Sequence, residues 1–188
     1  AYDEVEAAFH PLEYTPLFRK EQGKHVVLAL AGVVQVRQSN WVVNLVLFLL
    51  TLLAMLLTGA SQDYAGPLPA SIGEFVRFMA IGWPYAVSML AILLAHEFGH
   101  YFAARRSGTA VTLPYFLPLP GSILGTLGAA IVLKAPPKNR RALLDIGIAG
   151  PLAGLVVAIP VLIIGLVTAK VQPIPATIDP EGAQFFEG

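Results

Sequence analysis

Charged and apolar residues come in blocks along this chain rather than interleaved. Trp41 to Ala60 holds no Asp, Glu, Lys or Arg, and neither does Phe78 to Ala95, whose helical pattern continues to about Arg105. Ile146 to Ala169 is a third such run. At 1.5 Å per residue, about 20 helical residues cross a hydrocarbon core roughly 30 Å thick. The blocks therefore predict three membrane-spanning helices, at about 41–60, 78–105 and 142–169. A fourth uncharged stretch, Ser107 to Leu133, is broken by Pro114, Pro118, Pro120, Gly121, Gly125 and Gly128, which no helix accommodates. Backbone of that kind lies at membrane depth only where protein or a wet cavity satisfies its amides. The stretch reads either as a re-entrant loop, with a short strand over 125–133, or as an apolar loop along the surface.

Composition agrees with the pattern. Of the 188 residues, 56% are hydrophobic and 13% charged, about half the charge of a soluble domain. A disordered chain is excluded, since it would be less apolar and more charged. Twelve basic residues balance twelve acidic ones, so the footprint of a nucleic-acid binder is missing. No cysteine is present, which removes disulfides, thiolate zinc sites and cysteine nucleophiles. The expected class is an all-α polytopic membrane protein with three spans, a re-entrant or β-strand segment between the second and third, and a small soluble N-terminal piece.

Three segments follow. Residues 1–37 mix Asp3, Glu4, Glu6, Glu13 and Glu21 with Arg19, Lys20 and Lys24, and His25 to Val36 reads as a hairpin with Gly32 near its turn. The opening residues lack the basic-then-apolar pattern of a secretory signal. Residues 38–170 form the membrane core, and the Pro-rich 171–188 a tail. Ends without an initiating Met or a closing pattern suggest a piece of a longer chain. Arg37 precedes the first span, and Arg105, Arg106, Lys134, Lys138, Arg140 and Arg141 lie between the second and third. Basic residues favour the cytoplasmic side, so the N-terminus and the second loop are expected there, the tail outside, in a prokaryotic plasma membrane.

The element with chemistry in it is His96-Glu97-Phe98-Gly99-His100. Histidines at i and i+4 leave a helix on one face, where both imidazoles can reach one metal ion. A catalytic zinc takes three protein ligands and keeps a fourth position open. Glu97 is placed to act as general base toward water there. A chance match in a chain this long is on the order of one in a few hundred. Ionisable groups inside a spanning helix are costly, and so point to function. The bland reading has the histidines bonding across a helix interface and Glu97 paired with Arg105 or Lys134. His96 lies nine residues before Arg105, or about 13 Å from the cytoplasmic face.

Together with that motif, Gly125-Thr126-Leu127-Gly128-Ala129 and Asp145-Ile146-Gly147-Ile148-Ala149-Gly150-Pro151-Leu152-Ala153-Gly154 resemble the site-2 protease family of intramembrane zinc metalloproteases, over about 40–169. The resemblance implies zinc on His96 and His100, Glu97 as general base, and a strand over 125–131 that receives an unwound membrane-spanning protein substrate by β-augmentation. Gly125, Thr126 and Gly128 are its candidate substrate contacts. The family takes its third ligand from an Asp in an Asn-Pro-Asp-Gly-like motif on a later helix, and nothing here matches. Asp145 is the substitute candidate, although an acid opening a helix four residues after Arg141 has an ordinary explanation. Gly147, Gly150, Pro151 and Gly154 have two readings: Gly150 and Gly154 form a small-xxx-small face suited to helix packing, and the resemblance implies that this segment lies beside the catalytic helix, where close packing shapes the site. Trp41, Trp83 and Tyr101 read as interfacial anchors, and His10 and His25 as surface residues. Two rival functions stand beside the protease: a scaffold or pseudoprotease with an incomplete metal site, and a membrane zincin of the prenyl-protein endopeptidase type.

Overall fold

The computed structural model describes residues 2–32, 40–64, 66–67, 69–137 and 139–169. Helix α1 (Tyr2–Phe9) leads through a 3-10 turn into strands β1 (Tyr14–Glu21) and β2 (Lys24–Ala31). Helices α2 (Trp41–Asp63), α3 (Ile72–Ile81) and α4 (Trp83–Arg106) follow, then strands β3 (Tyr115–Pro118) and β4 (Thr126–Ala130), and helix α5 (Arg140–Thr168). Three of these helices are long and apolar enough to cross a membrane: 22 residues within α2, the 24 of α4 and the 29 of α5. The expected tail falls outside the described residues.

Two expectations need correction. Among the described residues the N-terminal hairpin turns at Gln22–Gly23, with Glu21 opposite Lys24 and Tyr14 opposite Ala31, so His25 begins its second strand; residues 33–36 of the expected hairpin lie outside the described residues. Both turn residues have positive φ, 47° and 81°, which suits a two-residue loop whose twist matches the strands. Gly32 lies past the end of β2, where its amide donates to the Glu13 carbonyl at 2.7 Å.

The second span begins at Trp83 rather than near residue 78. Pro84 fits the first turn of a helix but cannot continue one, and Gly82 separates α3 from α4. A Cβ on Gly82 would overlap the Leu56 carbonyl oxygen and stand 2.7 Å from the Ala60 nitrogen. Only glycine lets the chain turn so close to α2. At its other end α3 is capped on both sides of Ser71. The Ser71 hydroxyl accepts from the Glu74 amide at 3.2 Å, and the Glu74 carboxylate from the Ala70 amide at 2.8 Å, a variant of the capping box.

The Pro- and Gly-broken stretch is a hairpin lying along α2. Strands β3 and β4 pair antiparallel, Tyr115 opposite Ala130, with a register shift at Leu117/Pro118. The Asn44 side-chain amide donates to the carbonyls of Leu113 at 3.0 Å and Pro114 at 2.8 Å. Toward the other end of α2, Gln62 donates to Ile123 at 3.1 Å, and the Tyr85 hydroxyl of α4 to Leu124 at 3.1 Å. Asn44 to Gln62 is about 27 Å of helix. The hairpin thus runs most of the length of a helix able to span a bilayer, with polar side chains satisfying its exposed carbonyls. Strand β4 is shorter than the expected 125–133, and its partner β3 was not anticipated. The core is small: Met55, Ala86, Leu90 and Phe116 are buried together, with Phe48 edge-on to Phe116 at 5.3 Å.

Candidate metal centre

Helix α4 packs more extensively on α5 than any other two elements pack on each other, and the polar motif lies in that seam. Glycine makes the approach possible. A Cβ on Gly99 would stand 2.5 Å from the Ala149 carbonyl oxygen and 2.8 Å from the Ala153 Cβ, so nothing larger fits without parting the helices. Both imidazoles are carried on the same side of α4. Their Nε2 atoms are 3.1 Å apart, with ring centroids at 4.8 Å and planes at 74°.

The second nitrogen of His100 is also fixed. Its Nδ1 lies 2.6 Å from the Ile146 carbonyl oxygen of α5. A carbonyl only accepts, so Nδ1 carries a proton and Nε2 is the nitrogen turned toward His96. Backbone carbonyls are common outer partners of metal-binding histidines for this reason.

Glu97 is 5% exposed, and the Ile131 backbone amide faces its carboxylate just beyond β4. His96, Glu97 and His100 share a cavity of about 410 Å³ with Ala129, Ala130 and Ile131 on one wall and Leu143, Ile146 and Gly147 on another. The cavity lies toward the end of α4, since only six residues separate His100 from Arg106, or about 9 Å. Arg105 does not turn to Glu97. It reaches the Tyr101 hydroxyl at 3.4 Å and covers that ring at 5.8 Å.

The remaining predicted residues lie elsewhere. Asp145 is exposed on α5 and outside the cavity wall. Among the described residues no three His, Cys, Asp or Glu side chains are arranged to share a metal ion. Gly125, Thr126 and Gly128 stand further along the hairpin and shape it. The Thr126 hydroxyl donates to the Leu117 carbonyl at 2.8 Å and accepts from the Gly128 amide at 3.0 Å, beside the register shift. Ala129, Ala130 and Ile131, the far end of the 125–131 segment that the resemblance singled out, form the cavity wall. The Ile146 carbonyl gave no signal, being backbone.

Comparison with known proteins shows the family of the chain. Residues 84–186 match the family model described as peptidase family M50. The probable zinc metalloprotease EGY1, chloroplastic, of Oryza sativa subsp. japonica is 30% identical over 146 residues, covering 70% of this chain and 25% of that protein. Its Arabidopsis thaliana counterpart is 32% identical over 141 residues, covering 68% and 25%. The probable zinc metalloprotease EGY2, chloroplastic, of Oryza sativa subsp. indica is 34% identical over 102 residues, covering 54% and 18%. The chain spans about a quarter of the length of the EGY1 proteins. No solved structure matches it. Because the match takes in α4 with its histidine pair, β4 and α5, and covers more than half of the sequence, the chain belongs to peptidase family M50, the site-2 protease family.

Proposed function

We propose that this chain carries part of the active site of a membrane-embedded zinc endopeptidase that cuts membrane-spanning protein substrates. One observation carries the reading: two imidazole Nε2 atoms converge at 3.1 Å in the wall of a cavity that also holds a buried carboxylate. Two nitrogens bound to one tetrahedral zinc at about 2.0–2.1 Å lie roughly 3.3 Å apart, so His96 and His100 fit the ion as they stand. A third ligand comes from chain outside the described residues, Asp145 being turned away. Bound zinc supplies Lewis acidity, which polarises a peptide carbonyl and makes water ionise near neutral pH.

The chain's own residues do the rest. Glu97 takes the proton from the attacking water and passes it to the leaving amine. Ile146 holds His100 in the tautomer that leaves Nε2 free. Strand β4 pairs with β3 on one side, and its end reaches the cavity wall, so an extended substrate segment pairing with β4 is led to Glu97. Such pairing requires a substrate helix to unwind first, which frees the backbone groups a sheet edge recognises. The basic residues flanking α4 and α5 favour the cytoplasmic side for this end of the molecule. The relatives being plant chloroplast proteins, a bacterial plasma membrane has no particular support over a plastid one.

The test is reconstitution of the full-length protein in liposomes with a single-span substrate, followed by mass spectrometry of the products and metal analysis. Cleavage within the spanning segment, with one zinc per chain, supports the reading. Intact substrate together with metal-free protein favours the pseudoprotease scaffold, the second reading, since the described residues supply only two ligands.

A further inference from the structure

Each histidine of the pair meets α5 at a glycine, and the two contacts differ. A Cβ on Gly154 would stand 3.3 Å from the His96 Cβ and 3.4 Å from its Nδ1, which is close but tolerable. A Cβ on Gly150 would fall on the His100 ring itself, overlapping Nε2, Cδ2 and Cε1. One turn earlier on the same helix, the Ile146 carbonyl takes the His100 Nδ1 proton at 2.6 Å. The imidazole therefore lies flat against the backbone of α5 in space that any side chain at 150 would fill.

We propose that Gly150 is a positioning residue for the metal centre: its missing side chain is what lets His100 reach Ile146 and aim Nε2 at His96. The proposal rests on reading His96 and His100 as metal ligands. It divides the small residues of the seam by role. Gly99 meets backbone and the Ala153 methyl, and so sets how near the helices come. At Gly150 the three atoms nearest an added Cβ all belong to the His100 ring, and so it sets where the ligand points. A glycine that serves helix packing alone would be equally costly to replace whether or not residue 100 carried an imidazole. A positioning glycine would not.

The experiment uses full-length protein in lipid nanodiscs with Gly150→Ala, and Gly165→Ala as control, because a Cβ at 165 meets nothing within 4 Å. Nitrogen NMR of histidine-labelled, metal-free protein is expected to find His100 as the Nδ1–H tautomer in the parent and in Gly165→Ala. Gly150→Ala is expected to lose that state. Zinc affinity should fall about 10- to 100-fold in Gly150→Ala, the usual cost of losing an outer partner of a ligand, and stay at the parent value in the control. Thermal unfolding completes a double-mutant cycle: Gly150→Ala should destabilise the parent and have little effect in a His100→Ala background.

The proposal is overturned if Gly150→Ala keeps both tautomer and affinity, or costs as much stability without the imidazole as with it. Should Gly150→Ala fail to fold, the double variant decides: recovery supports the proposal and continued misfolding sinks it. If the parent binds no zinc, the metal reading falls by itself. The tautomer and the cycle then still decide the role of Gly150.

Discussion

The side-chain amide of Asn44 donates to the backbone carbonyl of Pro114 at 2.8 Å, joining residues 70 positions apart. The same nitrogen also holds Leu113, so one polar residue near the start of α2 secures the arm that leads into β3. Asn44→Leu removes both bonds and leaves two carbonyls in apolar surroundings. Side-chain bonds of this kind are worth about 0.6 kcal/mol in membranes, up to about 1.7, so the pair should cost about 1–3 kcal/mol. Unfolding in mixed detergent would measure it. The chain has no cysteine, so Leu117→Cys provides a single label site whose reactivity should rise in the variant. An unchanged midpoint and unchanged labelling would remove Asn44 from this role.

Replacing Glu97 with Gln separates binding from chemistry. The amide keeps the size of the carboxylate but takes up no proton. Cleavage should drop at least 10²- to 10⁴-fold, the usual contribution of a positioned general base, while bound zinc stays near one per chain. Equal cleavage by both proteins would place the base elsewhere.

Removing the ion should be reversible where removing a ligand is not. A chelator is expected to abolish cleavage by the full-length enzyme, and added zinc to restore it. His96→Ala and His100→Ala should leave the protein folded, with zinc content well below the parent and no recovery on adding metal. Activity that survives complete demetallation contradicts the assignment.

Two glycines of the hairpin should respond differently to alanine. Gly125 and Gly128 both hold positive φ, 71° and 102°, a conformation that costs a residue with a side chain about 1–3 kcal/mol. At Gly128 a Cβ meets nothing within 4 Å, whereas at Gly125 it would stand 2.7 Å from the Thr58 hydroxyl and 2.9 Å from the Ala54 carbonyl. Gly125→Ala should therefore lower thermal stability more than Gly128→Ala, because it also pushes the hairpin off α2. The reverse order would mean that this contact is not close in the folded protein.

The spanning helices were legible because an absence of charge over 20 residues is a strong and local signal. Their ends were less so. The uncharged run Phe78–Ala95 conceals a turn at Gly82, and the cue lay in Pro84 two residues later. The turn of the first hairpin is hard to read because Gln22, a residue with no special turn preference, takes the left-handed conformation beside Gly23. His96, Glu97 and His100 were readable from spacing. Their surroundings were not, since the Ile146 carbonyl and the Ile131 amide are backbone and exist at every position. Gly150 and Gly154 read as packing residues, and the structure sets them against the two rings as well as between two helices.

Gly82 and Gly59 bring α2 against the start of α4, where an added Cβ would meet backbone or the Tyr85 Cβ at 2.7 Å. Toward Trp41, Phe116 packs between the two helices beside Phe48 and Leu94, and a groove of about 240 Å³ lies among Phe48, Leu94 and Phe98. A side chain added at Gly59 or Gly82 would therefore have to part α2 from the start of α4, whereas bulk added beside that groove would first meet open space.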